Sequence, residues 1–385
     1  MVYIQGGKGP YANTRDVLAQ INLRHVCGKK VLLKPNVGRA AASDTGIVTN
    51  YEVVAAAVDA FRKAGAFVAI GESPIVGVDV NEAFEVSGIA GIAKKRNCSL
   101  IDMNRRRFVD VPVPDGAAIK NLKVCPEVFE FDYVVSMPVM KMHMHTGVTL
   151  SVKNMKGCLW RKSKVKLHML APVEGDNEKP INIAIADMSG VLSPHMAIID
   201  GTVGMEGLGP SAGSAKPLDV VVGGMDSFAA DAIACRLMGT NARTVAHLRI
   251  GAERGYGIIS DEDITVTPEN WLTWASDFEL PPENLGFEFP NVNVLDKQSC
   301  SACQSTLLLL LKRHMNKILE YFPQGKPLNI AIGKGNADVP EGTICIGNCT
   351  AACKNRGIFV LGCPPVGSEI LKAVAEKIRN DSAKN

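Results

Sequence analysis

Apolar residues in the first part of the chain come in short unbroken runs, separated by stretches of helical periodicity. Val31-Leu32-Leu33 is one run and ends in Lys34-Pro35-Asn36. From Tyr51 to Ala64 apolar positions recur at helical spacing and stop at Gly65. Phe67 to Ile70 is the next run, closed by Gly71-Glu72-Ser73-Pro74, and Ser99 to Ile101 and Tyr133 to Ser136 repeat the pattern. Strands apolar at every position, alternating with helices, predict an α/β fold: a mostly parallel sheet with helices on both faces.

The pattern continues with a predicted helix from Ile181 to Val191 and a strand from Met196 to Ile199 that runs into Asp200-Gly201 and a glycine-rich loop. A strand at Val220 to Val222 and helices from Ser227 to Leu237 and Ala242 to Arg254 follow. Thr267 to Pro290 is acidic and Pro-rich, holds Trp271 and Trp274, and reads as a linker or covering loop. Beyond it, Cys300 and Cys303 open a helix, short strands fall at Leu328 to Ile332, Thr343 to Ile346 and Ile358 to Leu361, and a helix starts at Gly367. The expected organisation is an α/β core over 1–265, a linker or cover over 266–295, and a smaller Cys-rich α/β domain over 296–385.

Composition narrows the function classes. Of 385 residues, 46% are hydrophobic and 21% charged, which excludes collagen-like and wholly disordered chains. Net charge is only +3, and the densest basic stretch, Lys141 to Lys166, holds one aromatic, so a nucleic-acid partner is not expected. No apolar run approaches the ~20 residues of a membrane span. The opening MVYIQGGKGP lacks a basic stretch followed by an apolar one, so the expected location is the cytoplasm, where structural disulfides are rare. Against that background eleven cysteines stand out, six of them in the last 86 residues.

Those six are Cys300-x2-Cys303, Cys345-x3-Cys349-x3-Cys353, and Cys363 in Gly-Cys-Pro-Pro. Thiolates at Cys-x2-Cys spacing can face one soft centre. Zinc sites usually use two such knuckles, and only one exists here. A [4Fe-4S] cluster accepts more scattered ligands and is often completed by Cys-Pro. One cluster held by Cys300, Cys303, Cys349 and Cys363 is therefore the leading expectation; Cys345 and Cys353 are the alternatives to Cys349, and zinc, a redox disulfide or inert thiols the competing readings. Cys27, Cys98, Cys125, Cys158 and Cys235 are scattered and read as inert buried thiols.

A second constellation is basic. Lys141, His143 and His145 alternate after a buried strand, so an extended chain would put them on one face. Lys153 and Lys156 would share a helix face, and Asn154 lies between them. With Lys34 and Asn36 at another strand end, they suggest a site for a carboxylate or phosphate. The glycine-rich loop containing Glu206 could cradle an anion, but it has neither a P-loop nor a Gly-x-Gly-x-x-Gly pattern.

Taken as a set, Lys34-Pro35-Asn36, Met137-Pro138 with Lys141-x-His143, Thr149 with Lys153-Asn154-x-Lys156-Gly157, and Asp200-Gly201 with Gly204-Met205-Glu206-Gly207-x-Gly209-Pro210, then Asp226 and Asp231, resemble domain of unknown function 362 over about residues 30 to 240. The resemblance implies that a Cys-rich segment of iron–sulfur type can accompany this core, and names no settled reaction. The expected function is an iron–sulfur oxidoreductase acting on a small anionic organic substrate. Lys34, Asn36, Lys153, Asn154, Lys156 and Glu206 would bind it. His143 or His145 would be the general acid, with Lys141 beside them and Asp200, Asp187 or Glu206 orienting the imidazole. The alternatives are an electron-carrier module serving a redox partner protein, and a non-redox enzyme whose cluster is structural. A flavin stays open because its sites need no short motif, and so does the oligomeric state, a homodimer included.

Overall fold

The computed structural model describes residues 1–281, 289–322 and 327–382. The chain forms two compact units: Met1–Lys164 with Asn182–Leu280, and Val165–Ile181 with Pro281–Asn385. No helix among the described residues is long and apolar enough to cross a membrane.

The strands of the first unit are β1 (Val2–Gly6), β2 (Lys30–Pro35), β3 (Phe67–Glu72), β4 (Ser99–Asp102), β5 (Val109–Pro112), β6 (Asn121–Val124), β7 (Tyr133–Met137), β8 (Val139–His143), β9 (Gly147–Thr149), β10 (Met196–Glu206), β11 (Ser214–Gly224) and β12 (Val266–Thr267). The main sheet runs β12-β1-β11-β10-β7-β2-β3-β4, with β8 and β9 branching from β10 and a separate β5-β6 hairpin. Pairing from β10 through β7, β2 and β3 to β4 is parallel, as the apolar runs predict; β11 pairs antiparallel with both β10 and β1. Val31 and Leu33 join one core with Val53, Val54, Val58 and Phe61 of the helix Tyr51–Lys63, while Leu32 between them is equally buried on the other face. That helix forms where the sequence places its signals. The Asn50 side chain accepts the Glu52 N–H, Glu52 lies in the first turn, and Arg62 and Lys63 lie in the last.

The sheet order places the site. From β2 the chain steps outward to β3 and β4, then returns to β7 on the other side of β2. The gap beyond the carboxyl ends of β2 and β7 is thus a topological switch point, where open α/β sheets take their ligands.

Two expectations need correction. The segment after Ile199 is not a loop. β10 continues to Glu206 and pairs with β11 through Glu206↔Ser214. Its glycines serve close packing: a Cβ at Gly209 would lie 1.9 Å from the Met142 carbonyl oxygen, and one at Gly204 2.7 Å from Phe278. The expected linker over 266–295 is also divided. β12 adds to the edge of the main sheet beside β1, and Trp274 packs where a Gly6 Cβ would stand. The stretch 282–288 lies outside the described residues, and Val292–Asp296 is a strand of the second unit.

That second unit carries a parallel sheet of β13 (Val292–Asp296), β14 (Leu328–Ile332), β15 (Thr343–Ile346) and β16 (Gly357–Val360), in that order. Helices Ser301–Tyr321 and Gly367–Ser382 supply Leu307, Leu311, Ile370 and Val374 to a core with Ile330, Ile344 and Ile346.

Asp187 shows how firmly the first unit is tied. Its fully buried carboxylate accepts the N–H groups of Ala117, Ala118 and Ile119 at 2.7–3.0 Å and pairs with Arg254 at 2.6 Å. Asp187→Ala strands those donors, so a loss of about 3 kcal/mol is expected, read as a lower urea midpoint at unchanged slope.

Candidate functional site

At the switch point Lys34, the last side chain but one of β2, is fully buried. Its Nζ donates to Glu72 Oε2 at 3.0 Å, to the Pro35 carbonyl at 3.0 Å and to Asn154 Oδ1 at 3.2 Å. Glu72 ends β3 and also accepts the N–H groups of Val37 and Ser73. Asn154 closes the gap by donating to the Lys34 carbonyl and to Ser136 Oγ of β7, while its Oδ1 accepts from Asn36. Gly157 caps the ion pair. A Cβ there would lie 2.5 Å from Lys34 Nζ and 2.8 Å from Glu72 Oε1.

Four further lysines gather around this pair. Lys141 of β8 donates to Asn36 Oδ1 and to the Ile47 carbonyl, both at 2.7 Å. Burial, then the neighbouring Arg39 and Lys34, push its pKa down to about 7, with Glu72 opposing. Lys153 donates to Thr149 Oγ1 at 3.3 Å, and burial followed by Lys141 pushes it down to about 7. Lys156 lies well below its ordinary value through burial and the charges of Lys153 and Lys164. Lys164 donates to Ser73 Oγ and to the Pro74 carbonyl, and burial lowers it to about 8. Lys164 in turn feels Lys34, so the five ammoniums close an electrostatic ring.

The platform beneath the ring is held by Asp231 of the helix Ser227–Leu237. It accepts the N–H groups of Ser151 and Val152 at 2.7 and 2.9 Å, and so orients the short helix Ser151–Asn154 that carries Lys153 and Asn154. Burial raises Asp231 to about 8 against the pull of those donors. His247 of the helix Ala246–Glu253 completes the surroundings. It is fully buried, neither ring nitrogen has a hydrogen-bond partner, and burial with Lys153 nearby pushes it down to about 3.

The structure thus brings Lys34, Asn36, Lys141, Lys153, Asn154 and Lys156 together, as the sequence pattern suggested, and adds Glu72, Lys164, Asp231 and His247. Lys141 and His143 lie two apart on β8, on one face; His145 follows in the turn before β9. The His143 and His145 rings meet edge to face at 5.2 Å, and His143 Nδ1 accepts the His145 N–H, which leaves the proton of a neutral His143 on Nε2. Asp200 orients neither histidine. Its oxygens accept from Asn50 N–H and from Thr202 N–H and Oγ1. Glu206 is engaged with Lys216 at 3.0 Å and the Glu279 N–H, so its carboxylate is tied to the β10-β11 hairpin. Cys125 and Cys158, expected to be scattered, face each other across an antiparallel bridge, with the Cys125 N–H donating to the Cys158 carbonyl at 2.9 Å.

In the second unit the terminal cysteines sort into two groups. Cys303 is drawn upward by its hydrogen bond with Cys300, by burial, and by the charges of Cys300, Cys363 and Cys349. Cys363 is pushed to about 12 by burial and by Cys300 and Cys349, and Cys349 upward by burial and Cys300. Cys300 is held near 5 by the Cys303 hydrogen bond, by Lys179, and by the N–H groups of Cys303 and Ala302. Cys345 and Cys353 belong elsewhere. They pack with Ala331 and Val339, apart from the core that holds Cys303, and Cys353 Sγ donates to the Asn336 carbonyl at 3.3 Å. Among the described residues, no three His, Cys, Asp or Glu side chains are arranged to grip a single metal ion. Cys300, Cys303, Cys349 and Cys363 nonetheless lie within electrostatic reach of one another.

Two measurements probe the lysine site. Gly157→Ala must push the Lys34–Glu72 pair apart, and a destabilisation of about 1–3 kcal/mol is expected from urea unfolding. The second is pH dependence. Folded Lys153 loses its proton near 7 and an unfolded lysine near ~10.4, so between those values the unfolded chain binds the extra proton and stability rises with pH. Wild type should therefore gain on Lys153→Met from pH 7 to 10, by about 1 kcal/mol per pH unit. The buried thiols and Asp231 are common to both proteins and cancel. A gap that widens in the variant's favour would refute the assignment.

Comparison with known proteins places this core. A thylakoid-associated protein, sll1697, from Synechocystis sp. is 26% identical over 267 residues, covering 66% of this chain and 80% of its own length. The lactate racemase apoprotein from Thermoanaerobacterium thermosaccharolyticum aligns over 88% of this chain and 70% of its own, at 11% identity and a TM-score of 0.40. Residues 31–236, which run from the second residue of β2 through β11 and hold all five lysines of the ring, match the family described as domain of unknown function (DUF362), and the chain belongs to that family.

Proposed function

We propose that the protein is an iron–sulfur oxidoreductase acting on a small anionic organic substrate. The second unit would hold one [4Fe-4S] cluster through Cys300, Cys303, Cys349 and Cys363. The observation that carries this reading is the division of the six terminal thiols: a Cβ at Gly347 would lie 3.6 Å from Cys303 Sγ and the Asn348 N–H donates to the Gly362 carbonyl at 2.8 Å, which brings the segments of Cys349 and Cys363 beside the Cys300–Cys303 turn, while Cys345 and Cys353 lie in a separate cluster. The donor set fits the group. It is all sulfur, drawn from a helix start and from the segments following β15 and β16. Bound there, such a cluster transfers single electrons.

The first unit would supply the substrate site. Lys141, Lys153 and Lys156 provide positive charge at the switch point, and Asn36 and Asn154 provide hydrogen bonds. His143, with its proton on Nε2, can act as general acid beside Lys141 on the same face of β8. The Lys34–Glu72 pair supports the floor without needing to touch substrate. A second reading, a cluster that only staples the second unit, draws support from all four thiols lying within that unit.

Anaerobic reconstitution with ferrous iron and sulfide tests the proposal. A brown chromophore is expected that bleaches with dithionite, is lost in Cys363→Ser and survives in Cys345→Ala. A chromophore indifferent to Cys363, or a site satisfied by zinc alone, would overturn the ligand assignment. A stable chromophore that cannot be reduced would leave only the staple.

A further inference from the structure

The lysine ring has a charge balance that defines its ligand more narrowly. Five lysines converge, and among the described residues Lys34 forms an ion pair with Glu72. Two buried carboxylates are committed elsewhere: Asp231 to the N–H groups of Ser151 and Val152, and Asp200 to the Asn50 N–H and to the N–H and hydroxyl of Thr202. Among the described residues, the hydrogen-bond acceptors of Lys141 and Lys153 are all neutral, namely Asn36 Oδ1, the Ile47 carbonyl and Thr149 Oγ1. A buried ammonium without counter-charge is costly, and the group either sheds its proton or takes an opposite charge beside it, which an anionic ligand would supply. His247 gives an independent sign of the same kind. It lies within electrostatic reach of Lys153, fully buried, with both ring nitrogens unpartnered. A buried polar group left so calls for a ligand atom or water. Asn36, Arg39 and Lys156 are half-buried, so the ring remains reachable from solvent.

We infer that the ligand of this ring is a small polyanion, bearing two or more negative charges on oxygen, as in a dicarboxylate, a tricarboxylate or a phosphorylated acid. The inference rests on the anion-binding half of the proposed function and is independent of the cluster. A single carboxylate would neutralise one ammonium and leave its neighbours repelling one another. Two anionic groups can bridge Lys141 and Lys153 and satisfy both.

Proton linkage follows from the same geometry. The charged groups facing Lys141 are Arg39, Lys34 and Glu72; those around Lys153 are Lys141, Lys156 and His247, with Asp231 beneath its helix. An arriving polyanion favours the ammonium forms of both lysines, so binding above neutral pH should draw protons from the buffer.

The test is calorimetry on the full-length, reconstituted protein at pH 8 in two buffers of different ionisation heat. The probes are acetate, succinate, citrate and inorganic phosphate. Succinate, citrate or phosphate should bind at least about tenfold tighter than acetate, since a second charge-assisted contact is worth that much. The heat should depend on the buffer, and Lys153→Met should abolish the preference. Lys141→Met serves as a second variant if the first does not fold, and the wild-type series decides the matter without either. Tighter succinate and citrate than phosphate assigns a polycarboxylate; the reverse order assigns a phosphorylated acid. Acetate binding as well as the others, or none of the four binding, overturns the inference. Neither result touches the redox proposal, which stands or falls on the dithionite experiment.

Discussion

The buried ion pair between Lys34 and Glu72 is the constraint around which the first unit is organised. An ion pair removed from water survives only if its remaining donors and acceptors are met. Here they are: Lys34 has two further acceptors, and Glu72 has two backbone donors. Meeting them fixes the ends of β2 and β3, positions Asn154 across to β7, and requires a residue without a side chain at Gly157. The same requirement brings the segment bearing Lys153 and Lys156 over the switch point. The site is thus a consequence of satisfying one pair of charges, and the lysines around it are those the described residues gather beside that pair.

Much of this was legible in the sequence. Unbroken apolar runs gave the parallel strands, and Lys34, Asn36, Lys141 and Lys153 were recognisable because polar residues at the ends of such runs lie where ligands bind. Glu72 stood at a marked strand end, but its pairing with Lys34 depends on the register of β2 against β3, which periodicity does not encode. His247 was invisible for another reason: a histidine in an ordinary amphipathic helix carries no signal until its neighbours are known. The glycine-rich stretch after Asp200 misled because glycine serves two purposes. It frees a loop, and it also lets backbones approach, as Gly209 does over Met142.

The terminal cysteines show the converse. Strand alternation already separates Cys345 from Ile344 and Ile346, so its side chain had to leave the face that packs on Leu307 and Leu311. Cys349 and Cys363 follow β15 and β16, and neighbouring parallel strands release their chains at the same edge of the sheet. What spacing could not reveal is the Cys125–Cys158 juxtaposition, since the two residues meet through a bridge between Val124 and Leu159 that no local pattern announces.

The seventeen-residue excursion Val165–Ile181 bears on how the molecule is made. It belongs to the second unit yet leaves the ribosome before residues 182–280 of the first. Neither unit is contiguous, so each has to close over a chain segment destined for the other. The first unit can be completed once residue 280 has emerged, with the excursion looped out between its two segments; the excursion meets its own sheet only after residues 292–360 have been translated. Its contacts are long-range in sequence and belong to the last stage of assembly.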